Sequence, residues 1–284
     1  MKVLIVGYGR AGTRHATMLR KILSSIEIVA VDPFVTHEDV LFFDLKDALD
    51  NNRRYDFSVI CTPPDQHIND IRVCLDRGIK VIMCEKPICG LGQIKEAEDL
   101  GDVPVMVAYN YRFHQEVARA LKRTQQPGKK WQCFSDQQRT VWPNWEFVVD
   151  HTGHTFDLLH ILADSMTVDS AVQLTHRTDD GYKAGTTLWI QGKTADGTKV
   201  EIADCVRKYP VERRAWINGP CGYLDMTKNA GMFERLWASF FSALSKREKF
   251  AINVKEALVA QRLIEDTNRI LIRRDVPWST PATF

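Results

Sequence analysis

Five short apolar runs separated by amphipathic segments are the feature that most constrains the fold of this chain. The runs are rich in β-branched residues and are KVLIV (2–6), EIVAV (27–31), FSVIC (57–61), KVIMC (80–84) and VPVMV (103–107). Near-continuous apolar character over five residues is typical of strands buried on both faces of a parallel sheet. Helical patterns lie between the runs, at Thr13–Leu23, Asp44–Asn51, Gln66–Arg77 and Leu91–Leu100. This strand–helix alternation predicts a doubly wound α/β domain.

The second half of the chain has a different pattern, dominated by long β-rich stretches. The segment 184–205 places Asp196 and Gly197 between two alternating runs, which is a strong signal for a hairpin. Two helical patterns close the chain, at about 230–246 and 254–273. We therefore predict an antiparallel sheet with flanking helices for this half, and the segment QQPGKK (125–130) is typical of a linker or turn.

Composition limits the classes of protein to which the chain can belong. Among 284 residues, 44% are hydrophobic and 26% are charged, the balance of a soluble globular protein with a substantial core. The net charge of +2 comes from interspersed signs, which argues against a nucleic-acid partner. The seven cysteines include no pair at C-x-x-C spacing, so no zinc clip or redox pair is indicated. No apolar run is long enough for a signal peptide or a membrane helix. We expect a cytoplasmic protein that does not bind membranes.

A glycine-rich turn follows the first apolar run. Gly7, Gly9 and Gly12 have G-x-G-x-x-G spacing in the segment GYGRAG. Such glycines permit a tight turn, a close approach of the backbone to a pyrophosphate and close packing of helix on strand. The N–H groups at the start of the following helix favour phosphate. We therefore predict a dinucleotide-binding loop made by Gly7, Tyr8, Gly9, Arg10, Ala11 and Gly12.

Asp32 ends the second apolar run, 20 residues after Gly12. A carboxylate at this place accepts hydrogen bonds from the adenosine ribose hydroxyls and repels a 2′-phosphate. Pro33 and Phe34 come next, and no arginine follows directly, so the sequence favours NAD over NADP. The alternative is that Asp32 only caps the turn before Pro33.

Two further polar loops directly follow predicted parallel strands. They are CTPPDQH (61–67) and CEKP (84–87). Loops at the carboxyl ends of parallel strands are where α/β folds build their sites. Lys86 in the second loop can donate to a substrate oxygen and stabilise negative charge that develops there. Taken alone, Lys86 would be interpreted as an exposed loop lysine.

The segment VVDHTGHTFDLLH (148–160) contains three histidines and two aspartates. If it were helical from Asp150 onward, Asp150, His154 and Asp157 would lie within about 60° of one another, and the other two histidines would point to either side. The histidines would not converge on one ion, so no metal is predicted, although a helix that starts later leaves a metal site open. The stripe suits proton transfer, because a histidine beside a carboxylate can accept and donate a proton near neutral pH.

Aromatic residues near these motifs are candidates for the wall of a substrate pocket. Trp142 lies just upstream of the histidine segment, and Tyr109 lies beside NYR (110–112). Core or interface packing is the alternative for both residues.

Taken in order, these motifs resemble the Gfo/Idh/MocA family (glucose–fructose oxidoreductase, inositol dehydrogenase and MocA). The matching elements are the glycine motif, T-P, E-K-P, N-Y-R and D-x-x-x-H-x-x-D, and the resemblance covers most of the chain. It implies a Rossmann domain with a doubly wound parallel sheet over residues 1–112. It also implies an α+β domain with an open, mainly antiparallel sheet over residues 113–284, from which the C-terminal helix can pack back on the first domain.

The resemblance also implies a chemistry. Members transfer a hydride between a nicotinamide cofactor and a hydroxyl or carbonyl carbon of a small polar substrate, such as a sugar or cyclitol. By the family pattern, Lys86 polarises the reacting oxygen, His154 is the acid/base and Asp150 assists His154. Beyond the glycine loop and Asp32, predicted cofactor contacts are Cys61, Thr62, Pro63, His67, Glu85, Lys86, Asn110 and Arg112. Predicted substrate contacts are Lys86, Tyr109, Trp142, Asp150, His154 and Asp157.

The chain departs from the family pattern at two places, which leaves sugar specificity open. Thr152 stands where a glycine is common, and no proline follows NYR within residues 113–115. One alternative function is reduction of an imine or a conjugated substrate, as in the family's biliverdin reductase branch. Another is a non-catalytic NAD(P)-binding regulator. Retention of Lys86 and His154 favours alcohol or ketone chemistry. A homo-oligomer formed through the C-terminal sheet is expected by resemblance.

Overall fold

The computed structural model describes residues 1–50, 54–123, 129–138, 152–177, 179, 183–207, 214–227 and 231–277. Contacts between Cα atoms divide the chain into two compact units. The first consists of Met1–Asn110 with Gly231–Gln261, and the second of Tyr111–Ala230 with Arg262–Phe284. Within the described ranges, no helix has the length and apolar composition needed to span a membrane.

The first unit is built on a six-stranded parallel sheet. Its strands are β1 (Lys2–Val6), β2 (Glu27–Val31), β3 (Val40–Phe42), β4 (Phe57–Ile60), β5 (Ile82–Cys84) and β6 (Val105–Val107). They lie in the order β3-β2-β1-β4-β5-β6, so the direction of strand succession reverses between β1 and β4. The central strand β1 is almost entirely buried, as its apolar run predicts. The doubly wound α/β fold is confirmed.

Four helices connect these strands. They are α1 (Arg10–Ile22), α2 (Leu45–Asp50), α3 (His67–Asp76) and α4 (Ile94–Glu98). Helix α1 begins three residues before the predicted start at Thr13, so that Gly12 lies in its first turn. Helix α4 is shorter than the predicted Leu91–Leu100, because Gly92 adopts a positive φ of 81° just before it. Strand β3 was not predicted, since three residues are too few for a periodic signal.

The second unit contains a seven-stranded mixed sheet. Its strands are β7 (Trp131–Gln138), β8 (Met166–Arg177), β9 (Lys183–Thr194), β10 (Lys199–Arg207), β11 (Arg214–Gly219), β12 (Gly222–Asp225) and β13 (Leu271–Pro277). Their order is β12-β11-β7-β10-β9-β8-β13. Only the pairs β7–β10 and β8–β13 are parallel. The other four pairs are antiparallel, which confirms the mainly antiparallel sheet and the hairpin that joins β9 to β10.

Further helices follow the first unit's strands along the chain. They are a 3-10 turn (Asn110–Phe113), α5 (Gln115–Ala120), α6 (Gly153–Ala163), α7 (Met232–Lys246) and α8 (Val254–Ile270). The predicted end of the last helix at about residue 273 is wrong, because α8 ends at Ile270. The chain turns directly from α8 into β13 at Leu271, where Leu271 pairs with Ala171 of β8. Strand pairing therefore overrides a local apolar pattern that suits either element.

Helix α7 belongs to the first unit, although the sequence analysis grouped its residues with the second domain. The rings of Trp237 and Phe240 are fully buried, and their centroids lie 5.9 and 5.4 Å from that of Phe57 in β4. Phe240 also stacks on Phe250, at 5.2 Å. Large aromatic side chains contribute much buried apolar area, so this cluster holds a distant segment of the chain in the first unit.

Candidate functional site

The glycine-rich loop lies at the carboxyl end of β1, where the strand order of the parallel sheet reverses. Gly7 has a φ of +86°, and a Cβ there would lie 2.7 Å from the carbonyl oxygen of Cys61. A Cβ on Gly12 would lie 2.1 Å from the oxygen of Gly7. Contacts within the protein therefore require glycine at both positions. At Gly9, by contrast, no described atom lies within 4 Å of a Cβ, so the loop fits the close approach of a pyrophosphate.

The first turn of α1 adds an anion-binding end to this loop. Gly9 is the N-cap of the helix, and the first N–H bond within it runs from Thr13 to the Gly9 oxygen, at 3.0 Å. The N–H groups of Arg10, Ala11 and Gly12 thus have no partner within the helix. Together with the positive end of the helix dipole, they suit the phosphates of a dinucleotide.

The side chain of Tyr8 is buried below the loop. Its hydroxyl donates to the carboxylate of Asp39, which also accepts from Arg20. Burial, together with Asp39, raises the pKa of the Tyr8 hydroxyl to about 12. Burial opposes ionisation of Asp39, but the hydrogen bonds from Arg20 and Tyr8 outweigh it and lower the pKa of that carboxyl. The Tyr8 ring therefore anchors the loop, and a cofactor contact by its backbone stays a prediction.

Asp32 is held by three backbone N–H groups. One oxygen accepts from Tyr8, at 2.7 Å, and the other accepts from Phe34 and Val35, at 2.8 and 3.0 Å. The carboxylate thus caps the turn after β2, as the alternative interpretation proposed, and it also ties that turn to the glycine loop. A carboxylate offers about four acceptor positions, so a further hydrogen bond from a ribose hydroxyl remains compatible with this arrangement.

The loop after β4 contains the predicted cofactor contacts Cys61, Thr62 and Pro63. The Cys61 N–H donates to the Val6 oxygen at 2.7 Å, and burial raises the pKa of its thiol well above the ordinary range. The thiol is therefore protonated at neutral pH. The Thr62 hydroxyl donates to Asp70 at 2.7 Å, whereas Pro63 is exposed. Of these three side chains, Pro63 is the most exposed, and Cys61 and Thr62 are partly exposed.

The loop after β5 contains Glu85, Lys86 and Pro87, with a cis peptide bond before Pro87. Glu85 accepts from His15, at 3.1 Å, and from the backbone N–H of Lys86, at 3.1 Å. His67 is 1% exposed and lies against the backbone oxygen of Pro87, so its ring belongs to the core. The side chain of Lys86 is partly exposed at the carboxyl end of the sheet, where the sequence predicts a substrate contact.

Tyr109 and Asn110 end the first unit, and both are buried. Tyr109 has no exposed surface and Asn110 is 6% exposed. Burial of Tyr109 supports the alternative interpretation, in which its ring packs in the core. The substrate role of Tyr109 and the cofactor role of Asn110 stay predictions.

In the second unit, Arg112 and Asp157 form a buried ion pair. Both oxygens of Asp157 lie 2.9 Å from Nε of Arg112, and Oδ1 lies 2.7 Å from Nη2. The side chains of Arg112 and Asp157 are 11% and 1% exposed. Because each charge is satisfied by the other, the pair ties the 3-10 turn to α6. This observation counts against direct cofactor and substrate contacts by the two residues.

His154 lies in the first turn of α6 and stacks on the ring of Tyr111. The two ring centroids are 4.4 Å apart and the rings are nearly parallel, at 13°. His154, Tyr111, Ser135 and Trp216 are among the residues around a pocket of about 380 Å³, which includes space open to solvent. The stripe predicted for the histidine segment thus faces the NYR segment through His154 and Asp157.

Asp204 is a functional candidate that the sequence analysis missed. It is 1% exposed within β10, and burial raises the pKa of its carboxyl to about 7, although nearby Thr152 and Thr155 act in the opposite direction. Both threonines belong to the start of α6, close to His154 in the chain. A signal was present in the sequence. Asp204 follows Val200 and Ile202 at intervals of two residues, so all three side chains point to the same face of β10.

Two predicted site residues, Trp142 and Asp150, lie outside the described residues. In the described ranges, no three His, Cys, Asp or Glu side chains are grouped so that they could hold a metal ion.

Nδ1 of His160 lies 2.8 Å from the oxygen of Asp164 at the end of α6, so that ring stabilises the helix end.

Comparison with protein families matches residues 1–107 to the oxidoreductase family with an NAD-binding Rossmann fold (GFO_IDH_MocA). This match to the Gfo/Idh/MocA family covers the six strands of the first unit. The matched residues include the glycine, T-P and E-K-P motifs, and the match supports an NAD-type cofactor for this Rossmann fold. A comparison with curated proteins finds no match.

Solved structures extend the likeness in fold beyond residues 1–107. Scyllo-inositol dehydrogenase from Lactobacillus casei, solved with NAD(H) and scyllo-inositol, has a TM-score of 0.74 at 15% identity, over 95% of this chain and 96% of that one. Myo-inositol dehydrogenase from the same organism, solved with NAD(H) and myo-inositol, has a TM-score of 0.69 at 16% identity, over 95% and 94%. A Corynebacterium glutamicum myo-inositol dehydrogenase has 0.70 at 16%, over 95% and 97%. At these identities the likeness shows the fold.

Proposed function

We propose that this chain is an NAD-dependent dehydrogenase that oxidises a secondary hydroxyl of a small polar molecule, a cyclitol or sugar, to the ketone. The observation that carries the proposal is the partly exposed Lys86, which follows β5 in a sheet whose glycine loop fits a pyrophosphate. Loops at this edge of a parallel sheet form the sites of doubly wound folds. The inositol dehydrogenases of similar fold support the substrate class.

In the proposed reaction, Lys86 donates a hydrogen bond to the substrate oxygen and stabilises its developing negative charge. His154 removes the hydroxyl proton as the carbonyl forms, and it returns that proton in the direction of reduction. Asp150 favours the charged form of His154. When bound, the nicotinamide supplies the hydride acceptor. The stacking of Tyr111 on His154 supports this role, because it restrains the orientation of the imidazole.

We further propose that NAD is preferred over NADP. The support is Asp32, which three backbone N–H groups hold in place at the end of β2. A fixed carboxylate repels the 2′-phosphate of NADP and can accept from the ribose hydroxyls of NAD. The ratio of kcat/KM for the two cofactors tests this preference, and a ratio near or below one for NAD over NADP would contradict it.

The reaction is tested by incubating the purified protein with NAD⁺ and myo-inositol, scyllo-inositol or glucose, and by following the absorbance of the reduced nicotinamide. For the substrate that reacts, Lys86→Met is expected to lower kcat about 100-fold, the typical effect of removing one oxyanion donor. His154→Asn is expected to lower it by about 10²–10⁴, the usual contribution of a general acid or base.

Matched controls are available for both substitutions. Lys80→Met changes an exposed lysine just before β5, and His160→Asn changes another histidine of α6. Both controls should keep kcat. Full activity of Lys86→Met or His154→Asn would refute the proposed roles. Tight binding of the cofactor without turnover of any polyol or imine would instead support the regulator hypothesis.

A further inference from the structure

We infer that two buried histidines, His15 and His67, are positioning residues for Lys86, an assignment that rests on the proposed function. They hydrogen bond to the residues on either side of Lys86. Both rings are at most 1% exposed, so neither can touch a substrate. Their effect on the reaction must therefore pass through the backbone of the loop Glu85–Pro87.

His15 fixes the residue before Lys86. It lies on the helix that starts at the glycine loop, and its Nε2 is 3.1 Å from Oε1 of Glu85. The rings of Phe233 and Trp237 pack edge-on against the imidazole, at 5.7 and 5.5 Å between centroids, and hold its plane. Since a carboxylate only accepts, Nε2 is the donor in this pair.

Glu85 transmits this contact to Lys86. Burial opposes ionisation of Glu85, but the hydrogen bond from His15 and the charge of Lys86 outweigh it and lower the pKa of the carboxyl. The other carboxylate oxygen accepts from the backbone N–H of Lys86, at 3.1 Å. The helix of the glycine loop is thus connected through His15 and Glu85 to the main chain of Lys86.

His67 fixes the residue after Lys86. Its Nδ1 lies 2.8 Å from the oxygen of Pro87, and its Nε2 lies 2.8 Å from the oxygen of Thr62. Burial lowers the pKa of His67, while the two backbone hydrogen bonds act in the opposite direction. The neutral ring donates to one carbonyl and the protonated ring to both. The protonated ring therefore joins the loops that follow β4 and β5, and the neutral Nδ1–H tautomer holds Pro87 alone.

Two anchors are useful here because lysine is a flexible residue. A lysine side chain is a point charge on a four-carbon stem, so its direction depends on the backbone that carries it. A displacement of about 1 Å at a reacting centre can cost about 10²-fold in rate. We therefore expect loss of either anchor to lower kcat by about 10-fold to 100-fold, with little change in the KM for NAD⁺.

The chain permits a test with matched amide substitutions. Asparagine places its amide near the Nδ1 position of a histidine, and glutamine near the Nε2 position. His15→Gln and His67→Asn should therefore keep the hydrogen bonds to Glu85 and Pro87, and with them most of kcat. His15→Asn and His67→Gln should lose those bonds and lower kcat about 10-fold or more. The inference predicts that glutamine is the better replacement for His15 and asparagine the better one for His67. A general packing defect would not reverse the preferred amide between the two sites. Equal effects of asparagine and glutamine at each site would therefore overturn the inference.

A second measurement needs no substrate. Hydrogen–deuterium exchange of a peptide covering residues 82–90 should become faster in His15→Asn and His67→Gln, since the backbone of the loop loses an anchor in each variant. Exchange in β1 should stay as in the parent protein. Unchanged exchange in residues 82–90 would overturn the inference whatever the enzyme acts on.

The Lys86→Met background separates failure of this inference from failure of the proposed function. If Lys86→Met alone keeps full activity on myo-inositol or scyllo-inositol with NAD⁺, the proposed function fails. If Lys86→Met is impaired, adding His67→Gln should change its residual rate by less than about twofold, because the residue on which His67 acts is gone. If His67→Gln lowered the rate in the Lys86→Met background as much as it does in the parent protein, the positioning role would be overturned, while the proposed function would stand.

Discussion

Replacing Asp204 with asparagine is expected to make the protein more stable at alkaline pH. Burial in β10 raises the pKa of this carboxyl to about 7, so the folded state resists its ionisation. In the unfolded chain the same group ionises near 3.8. A group whose pKa is raised by folding contributes no penalty below its unfolded value, and it destabilises the fold progressively as the pH rises towards its folded value.

The magnitude follows from these two values. One pKa unit corresponds to about 1.4 kcal/mol, so the difference between 3.8 and about 7 amounts to about 4 kcal/mol. The parent protein should lose this much free energy of unfolding through Asp204 between about pH 4 and pH 7, at about 1.4 kcal/mol per pH unit. The asparagine side chain has a similar shape and does not titrate, so Asp204→Asn should escape the loss.

Urea unfolding of both proteins, from about pH 5 to pH 8.5, measures this difference. The stability of Asp204→Asn relative to the parent should rise with pH and level off above about pH 7.5. Asp169→Asn, at an exposed position of β8, is the control and should show no such rise. A stability difference between Asp204→Asn and the parent that is the same at every pH would refute the argument.

Two further predictions concern the glycine loop and the buried ion pair. Gly12→Ala should lower both the free energy of unfolding and NADH affinity, because its Cβ would lie 2.1 Å from the Gly7 oxygen. Gly9→Ala should weaken NADH binding in a fluorescence titration, while its urea midpoint stays near that of the parent protein. No described atom lies within 4 Å of a Cβ at Gly9, so a large loss of stability would contradict this prediction. Arg112→Met should cost about 3–5 kcal/mol in urea unfolding, because it removes the guanidinium that neutralises the buried carboxylate of Asp157. The double variant Arg112→Met/Asp157→Leu should recover most of that loss. If the losses of the two single variants simply added in the double variant, the result would argue against an energetic coupling between Arg112 and Asp157.

The parallel sheet was predictable because each central strand has a signal in its own residues. Strands β1, β2 and β4 are buried on both faces, so their apolar character is continuous and does not depend on knowing their neighbours. The edge strands β3 and β13 lack that signal. β3 has only three residues, and β13 is largely exposed and directly follows helix α8. Both strands therefore form because they pair with a neighbouring strand.

The candidate site was predictable in its residue types and less so in their contacts. Motif spacing predicts Lys86, His154 and the glycines as site residues, and these roles stay predictions. The pairing of Arg112 with Asp157, 45 residues apart, has no local signature, because a contact between distant residues is set by the fold. The same holds for His15 and Glu85, which are 70 residues apart. His67 was assigned to the cofactor from its loop, whereas its burial shows it as part of the frame of that loop.

The three N–H groups held by Asp32 also bear on how cofactor preference in this chain could change. The residue that would reject a 2′-phosphate is the same one that closes the turn after β2 and secures Tyr8 of the glycine loop. A substitution that removes the carboxylate to admit NADP also removes the acceptor of the buried Tyr8 N–H, and leaving a buried donor unsatisfied typically costs about 1–3 kcal/mol. Selection or engineering towards NADP would therefore first require a compensating change that stabilises the turn. Under the proposed preference for NAD, cofactor selection and the stability of the glycine loop depend on the same residue.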